Sequence, residues 1–546
     1  MADSKRNVDD AADFETAIAE CGFGLFNILM MCCAVPCLSA MVFSASSMSY
    51  VMPTAECDLQ LTPFDKGLLN AVTYGGMILS AIPWGFLADT MGRRVVLIWG
   101  GWIDGIFVLC AALCQDSTQL MVFKFLDGLI ICGPFAVVVS YLAEFHGKKH
   151  RPYIMLFVGL CVSAGATFVP ILAYLLLPVH LFFSVGQMNF HTWQIFLIVT
   201  ALPSLMSGFL HIFLPESPKF LMAQGQYNKA LESLQRIYAV NKHKTRDTYP
   251  VKRLTDATPD RSDVFNLPRQ PTSRWERFTR AKLKFLEGVG QLKPMFSKPY
   301  LCISLQVYCL HFCQIMCVNS VRLWLPQIFA TMHTFEMQGI NDTSMCNVLD
   351  HNSQVRSMDS ESMRRECDLH QDPGIYTDNI IVASVGIVGF VIIFPLMRIS
   401  LVANHILSES HKGVSLSLSR GKSLQPLSLF VAEVFLFLCV FLAGGLYFAE
   451  SALVTMIIAS IYLTMMGVCA TTIIGMSVVM FPTLMRTMVL MLIMTFGRLG
   501  SVAGNILLPV FMQISCHAPF LWLVALMSIA FIFSIFLRVD VLQPLA

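Results

Sequence analysis

The sequence predicts an all-α membrane protein of twelve transmembrane helices in two six-helix halves, and three observations predict it. The 546 residues are 55% hydrophobic and 13% charged, whereas a soluble domain carries about 25% charged residues. Apolar segments of about twenty residues, the length that crosses a hydrocarbon core, recur along the chain on both sides of a polar gap. Lys and Arg cluster in alternate loops and are nearly absent from the loops between, which is the pattern that orients a chain in a bilayer. The net charge of +2 says little, because its distribution outweighs its sum. No basic face on a soluble core points to nucleic acid.

Residues 1–22 are polar and acidic and lack the basic start and cleavage site of a secretory signal. They are expected to form a cytoplasmic, amphipathic N-terminal segment, with the first apolar run kept as a span. The N-terminal half is expected over 23–213, with spans near 23–51, 68–88, 95–114, 119–143, 153–177 and 193–213. The C-terminal half is expected over 300–537, with spans near 300–330, 379–399, 427–448, 452–479, 487–512 and 518–537, followed by a cytoplasmic tail over 538–546. Between the halves, 214–299 reads as a cytoplasmic linker with 17 Lys and Arg against 8 Asp and Glu. Within it, Ala230, Leu231, Leu234, Ile237 and Tyr238 recur at helical spacing, which predicts a helix lying on the cytoplasmic face.

The basic loops hold Arg93 and Arg94; Lys148, Lys149 and Arg151; Lys412, Arg420 and Lys422; and Arg486, with Lys66 the main exception. Both termini are then expected in the cytoplasm. The acidic loop 331–378 is expected outside or in a lumen, and it contains the sequon Asn341-Asp342-Thr343. On that oxidising side glycosylation of Asn341 and a Cys346–Cys367 disulfide are both expected; an unmodified sequon and two free thiols are the alternative. Most of the other cysteines among the 18 lie in apolar runs, where a free thiol acts as a small hydrophobe. No ligand spacing for a metal is present, and no cofactor is expected.

Gly85-Phe86-Leu87-Ala88-Asp89-Thr90-Met91-Gly92-Arg93-Arg94 resembles the G-x-L-a-D-x-x-G-R-[RK] loop of the major facilitator superfamily. In that position Gly85 would permit close helix approach, Gly92 a turn with positive φ, and the arginines would hold the loop in the cytoplasm. Asp89 would face the N-terminus of the eleventh span, where the helix dipole favours an anion; a tight basic turn with no gating role is the alternative. Glu144 and Arg151 match an E-x₆-R pattern of sugar-porter-like members. Pro215-Glu216-Ser217-Pro218-Lys219-Phe220-Leu221 resembles their PESPRFL sequence, and Phe481-Pro482-Thr483-Leu484-Met485-Arg486 their second-half F-P-T-x-x-R sequence, with Val479 at its Glu position. Asp13 to Phe26, which runs into Gly22-Phe23-Gly24-Leu25-Phe26, and Leu323-Trp324-Leu325-Pro326 resemble the entry helix with its G-F-G-x-F start and the W-x-P sequence of synaptic-vesicle-glycoprotein-like members. The loop near 402–423 lacks the second D-x-x-G-R-R copy, which implies a thinned charge network in the second half.

Charge at membrane depth is costly and marks function by default. Asp104 falls in the third span, and Lys124 and Asp127 lie one turn apart in the fourth. Lys124 paired with Asp104 or with Asp127 suits proton or ion coupling, and equally suits an ion pair that only holds the bundle. Gln314, Asn319 and Arg322 in the seventh span and Arg498 in the eleventh complete the substrate candidates, with Glu433 a further embedded charge. The resemblance implies secondary active transport of a small polar or charged organic solute by alternating access, with a small molecule or ion as substrate and the bilayer as environment. The competing expectation is a non-transporting vesicle protein of the same fold that binds vesicle protein partners. The membrane is expected to be the plasma membrane or that of an intracellular vesicle. No enzyme signature is present: Gly421-Lys422-Ser423 lacks the earlier glycine of a P-loop, that position being Leu416.

Overall fold

The computed structural model describes residues 11–56, 58–179, 181–185, 188–255, 300–337, 373–389, 391–392, 427–481 and 486–537. Asn341, Cys346 and Cys367, the 402–423 loop, most of the linker and the C-terminal tail lie outside the described residues.

The described residues begin on the basic end of the bundle with β1 (Ala11–Ala12) and α1 (Phe14–Cys21). Asp13 caps α1 by accepting from the Thr16 N–H at 3.1 Å, one of the orphan donors of a helix start. Gly22 then turns at φ +64°, and Gly24 lies so close to Asn241 that a Cβ would come 2.9 Å from its Cα. The Gly-Phe-Gly sequence is therefore set by contact with a helix more than 200 residues away. That helix is α9 (Tyr227–Lys242).

Six long helices follow. They are α2 (Leu25–Ala55), α3 (Pro63–Met91), α4 (Arg93–Ala112), α5 (Ser117–Glu144), α6 (Arg151–Leu176) and α7 (Thr192–Leu210). A reciprocal cap starts α3: the Asp65 N–H donates to Thr62 Oγ1 at 3.1 Å, and the Thr62 N–H donates to Asp65 Oδ2 at 3.0 Å. Between α6 and α7 the chain forms an antiparallel hairpin, β2 (Phe182–Val185) with β3 (Met188–His191). After α7 come α8 (Pro218–Ala223), α9 (Tyr227–Lys242) and β4 (Arg253–Leu254), which pairs in parallel with β1. The predicted linker helix is α9, and Ala230, Leu234 and Ile237 are its buried stripe.

The second half comprises α10 (Leu301–Met337), α11 (Gly374–Gly389), α12 (Leu427–Gly445), α13 (Ala452–Met480), α14 (Arg486–Ile514) and α15 (Ala518–Ile535). Ten of the described helices are long and apolar enough to span a bilayer, and two shorter apolar helices, Gly374–Gly389 and Phe430–Gly445, stand where the eighth and ninth spans fall in sequence. The chain is a multi-pass integral membrane protein. The seventh helix runs to Met337 rather than ending near 330, because Phe329, Ala330 and Met332 are buried and continue its apolar face.

Lipid tails are as apolar as leucine, so helices associate in a membrane through close backbone approach and polar contacts. The crossing of α3 and α5 shows this: a Cβ on Gly128 would lie 2.0 Å from the Thr73 carbonyl oxygen, and one on Gly76 would lie 2.3 Å from that of Phe125. In the second half α10 and α14 cross in the same way at Gly500 and Gly504, with Tyr308 stacked on Phe496 at 5.0 Å. Large apolar residues such as Leu79, Trp99 and Phe441 are exposed on the outside of the bundle, where lipid would cover them. The two halves meet along α3 and α14 and along α2 and α10.

Candidate functional site

Three ionisable side chains meet inside the N-terminal half. Asp104 on α4 and Lys124 and Asp127 on α5 are all 0% exposed. Lys124 Nζ forms an ion pair with Asp127 and also donates to the Ser44 carbonyl at 3.2 Å and to Ser47 Oγ at 3.5 Å. The serine-rich stretch of α2 thereby supplies the remaining acceptors of the ammonium. Asp104 Oδ2 accepts from Ser204 Oγ of α7 at 2.6 Å. Of the two partners open to Lys124 in the sequence, the direct ion pair is with Asp127. One oxygen on each carboxyl group, Asp104 Oδ1 and Asp127 Oδ1, is buried without a donor.

A second set of polar groups crosses the seam between the halves. Arg322 Nη2 donates to Tyr74 Oη at 3.3 Å, and Asn70 Nδ2 donates to the Leu323 carbonyl at 3.4 Å. Further along, Arg498 Nη1 reaches the Met77 carbonyl at 3.3 Å and Cys132 Sγ at 3.0 Å. Arg322 and Arg498 are thus bound to the opposite half. Gln314 and Asn319 are not: Gln314 Nε2 donates to the Met466 carbonyl at 3.0 Å, and Asn319 Nδ2 donates to Ser501 Oγ at 2.5 Å. Both bonds stay within the second half, and Gln314 keeps one unpartnered oxygen. Glu433 also has a buried oxygen without a donor. His311, which the sequence did not single out, is buried beside Gly497, 2.9 Å from where a Cβ would stand. Its lone position in an apolar run gave no spacing signal.

The third set lies at the basic end. Gly92 takes φ +100° between α3 and α4. Glu216, from the segment after α7, accepts from the N–H groups of Arg93 at 3.1 Å, Arg94 at 3.2 Å and Ser217 at 2.9 Å. It therefore sits on the N-terminus of α4, where unpaired N–H groups and the helix dipole favour an anion. Burial pushes the Glu216 carboxyl above its usual range, against the pull of those N–H donors and of Arg93. Arg93 Nη2 lies 3.2 Å from Asp89 and 3.4 Å from Glu144, and its guanidinium stands 5.0 Å over the Phe220 ring. Arg151 pairs with Glu15 of α1 at 2.8 Å and donates to the Ala143 and His146 carbonyls. The Glu144 and Arg151 of the E-x₆-R pattern thus have separate partners.

The Asp89 side chain is 71% exposed and pairs with Arg93, and the anion seated on a helix N-terminus among the described residues of this end is Glu216 on α4; residues 482–485, which lead into the eleventh span, lie outside the described residues. One expectation about this loop is corrected. Gly85 makes no tight crossing: a Cβ there would meet only Met491 Cε, at 3.9 Å. For Arg486, only its place as the first residue of α14 falls within the described structure.

The opposite end of the bundle carries polar pairs that local sequence pattern did not show. Asp58 accepts from Trp193 Nε1 at 3.0 Å and lies 3.2 Å from His191 Nδ1. Burial raises the Asp58 carboxyl, opposed by His191 and Trp193. Lys66 pairs with Glu56 at 2.5 Å, and His333 with Asp378 at 2.9 Å. Cys516 at this end is disulfide-bonded, a cysteine that nothing in its sequence neighbourhood distinguishes from the free thiols.

A family model described as Major Facilitator Superfamily matches residues 34–345. Synaptic vesicle glycoprotein 2B of Rattus norvegicus is 27% identical over 327 residues, covering 58% of this chain and 47% of that protein. Synaptic vesicle glycoprotein 2C of Mus musculus is 26% identical over 344 residues, covering 61% and 47%. The chain spans about half the length of the curated relatives it matches. Among solved structures, the proton:xylose symporter XylE bound to 6-bromo-6-deoxy-D-glucose superposes with a TM-score of 0.58 at 14% identity, covering 94% of this chain and 96% of that one. The partially occluded inward open form of XylE from E. coli gives 0.56 at 12% identity, covering 93% and 98%. These two likenesses speak to the fold. On the match over more than half its length, and with helices arranged as in those structures, the chain belongs to the Major Facilitator Superfamily.

Proposed function

We propose that the chain is a secondary transporter that moves a small polar or charged organic solute by alternating access of its two halves. The observation that carries this is the Asp104–Lys124–Asp127 cluster, fully buried at membrane depth. Removing three ionisable groups from water costs several kcal/mol per ion, and a fold that needed only packing would place apolar side chains there. Arg322 and Arg498, bound across the seam, are proposed to release their partners as the halves separate and to meet solute in the opened space. Gln314 and Asn319, engaged inside the second half, are proposed to support that wall.

The basic end is proposed to be cytoplasmic. The Lys and Arg distribution supports this, and so does the Cys516 disulfide at the other end, since disulfides persist on the oxidising side of a membrane. Gly85, Asp89, Gly92, Arg93, Arg94, Glu144, Arg151, Glu216 and Arg486 are proposed as the cytoplasmic latch. Asp89, exposed here, would be its undocked element. Glycosylation of Asn341 and a Cys346–Cys367 bridge are proposed for the extracytoplasmic loop, and glycosidase treatment and reduction before electrophoresis test them.

The transport assay is uptake of a labelled solute panel into proteoliposomes, with and without a pH gradient. Saturable uptake of one polar class supports the proposal. A second reading, a non-transporting vesicle protein, is favoured by Val479 at the family's Glu position and by the missing second basic motif. Absence of flux across the panel together with retained binding to vesicle proteins would establish it instead.

A further inference from the structure

We propose that Asp104 and Asp127 form a proton-binding site that holds a single proton between them, with Lys124 as the fixed counter-charge. The charge count leads to it. Two carboxylates and one ammonium, all 0% exposed, leave one uncompensated negative charge at membrane depth, where an unpaired charge is prohibitive. One proton removes it.

The geometry independently asks for the same proton. Asp104 and Asp127 are close enough for a side-chain hydrogen bond between them, yet two carboxylates have no hydrogen to share. Each keeps a buried oxygen, Oδ1, without a donor, while the other oxygen is engaged by Ser204 or by Lys124. A buried acceptor left unmade costs about 1–3 kcal/mol, and more when charged. With one carboxyl protonated, its O–H donates to the other carboxylate, and both defects vanish together. The proton comes from water and returns to it, and no other bond changes.

The groups facing the site are known from each neighbouring helix. On α5 they are Lys124 and Asp127 themselves, on α2 the hydroxyl of Ser47, the carbonyl of Ser44 and the thiol of Cys37, and on α7 Ser204. On α3 the backbone of Thr73 lies against Gly128, and the charge from the other half, Arg498, enters beyond, at Cys132. Lys124 is thus the cation that balances the pair. The site joins four spans, so proton loss would strand a negative charge among α2, α4, α5 and α7 and favour any rearrangement that admits water or a cationic group. This last consequence rests on the transport proposal; the proton itself does not.

The test therefore needs no flux. Infrared spectra of the purified full chain in lipid at neutral pH, compared in H2O and D2O, report protonated buried carboxyl groups by their C=O stretch. The expected result is a band of one carboxyl lost in Asp104→Asn and equally lost in Asp127→Asn, because either change leaves one carboxylate balanced by Lys124. Lys124→Gln is the second variant: without the counter-charge, the band grows to two carboxyls. Wild-type protein with no such band overturns the proposal, as does a sodium-dependent carboxylate shift in its place, which would identify a bound cation. Persistence of the band in Asp127→Asn, or an unchanged amplitude in Lys124→Gln, also overturns it. Loss of transport with the band intact would count against the transport proposal alone.

Discussion

Replacing Gly92 by Ala tests the basic-end latch, because its cost can be worked from the structure. The residue sits at φ +100° and ψ 156°, a region that L side chains avoid, and holding Ala there costs about 1–3 kcal/mol. The added Cβ would stand 2.4 Å from Glu216 Oε2 and 3.1 Å from Phe220 Cε1. The carboxylate must move, weakening its hold on the Arg93 and Arg94 N–H groups, and a hydrogen bond to a charged group is worth about 1.5–3 kcal/mol. The total is about 2.5–6 kcal/mol. Gly85→Ala, in the same motif, meets only Met491 Cε at 3.9 Å, and an Ala inside a helix is favoured over Gly by about 0.5–1 kcal/mol. Thermal melts of the purified proteins in detergent should therefore separate the two: G92A lower by about 2–5 °C, G85A unchanged or slightly higher. Combining G92A with Glu216→Ala should cost less than the sum of the two, since the steric part is relieved. Equal melting of G92A and G85A, or strict additivity with Glu216→Ala, would refute the reasoning.

Lys124→Met should destabilise the protein by about 3–5 kcal/mol, as when one member of a buried pair is removed, and Asp127→Asn by less, since Asp104 remains to balance Lys124; the double variant should cost less than the sum of the two, and additive melting shifts would count against the pair. His146, just past α5, has its basicity lowered from 6.5 by burial, opposed by the Leu142 carbonyl. A depressed histidine contributes stability that is present above the unfolded value and lost as pH falls, so the melting temperature should drop below about pH 6.5 and His146→Gln should flatten that slope. Cys516→Ser removes a disulfide and should cost about 2–4 kcal/mol, seen as a lower melt that no longer responds to reductant; an unchanged melt would place the bridge in a region that does not limit unfolding.

Much of this architecture was legible in the sequence because the bilayer constrains it so strongly. An apolar run of about twenty residues has one stable solution in lipid, a helix, and a bend at Gly92 needs a residue that tolerates positive φ. The amphipathic repeat of α9 likewise announced its buried stripe. The extension of α10 and the hairpin at β2 and β3 were not legible, because their residues settle against neighbours that local pattern does not name.

The sequence by itself determined which charges lie at membrane depth, which loops are basic, and that Asp104, Lys124 and Asp127 fall on adjacent spans. Only the tertiary structure decided that Lys124 chooses Asp127, that Ser204 takes Asp104, and that two carboxyl oxygens remain without a donor. It also gave the helix N-terminus of α4 to Glu216 and left Asp89 exposed. The physical reason is the same in each case. Hydropathy is a local property of a segment, whereas the partner of a buried charge is set by the rotation and crossing of helices brought together from distant parts of the chain.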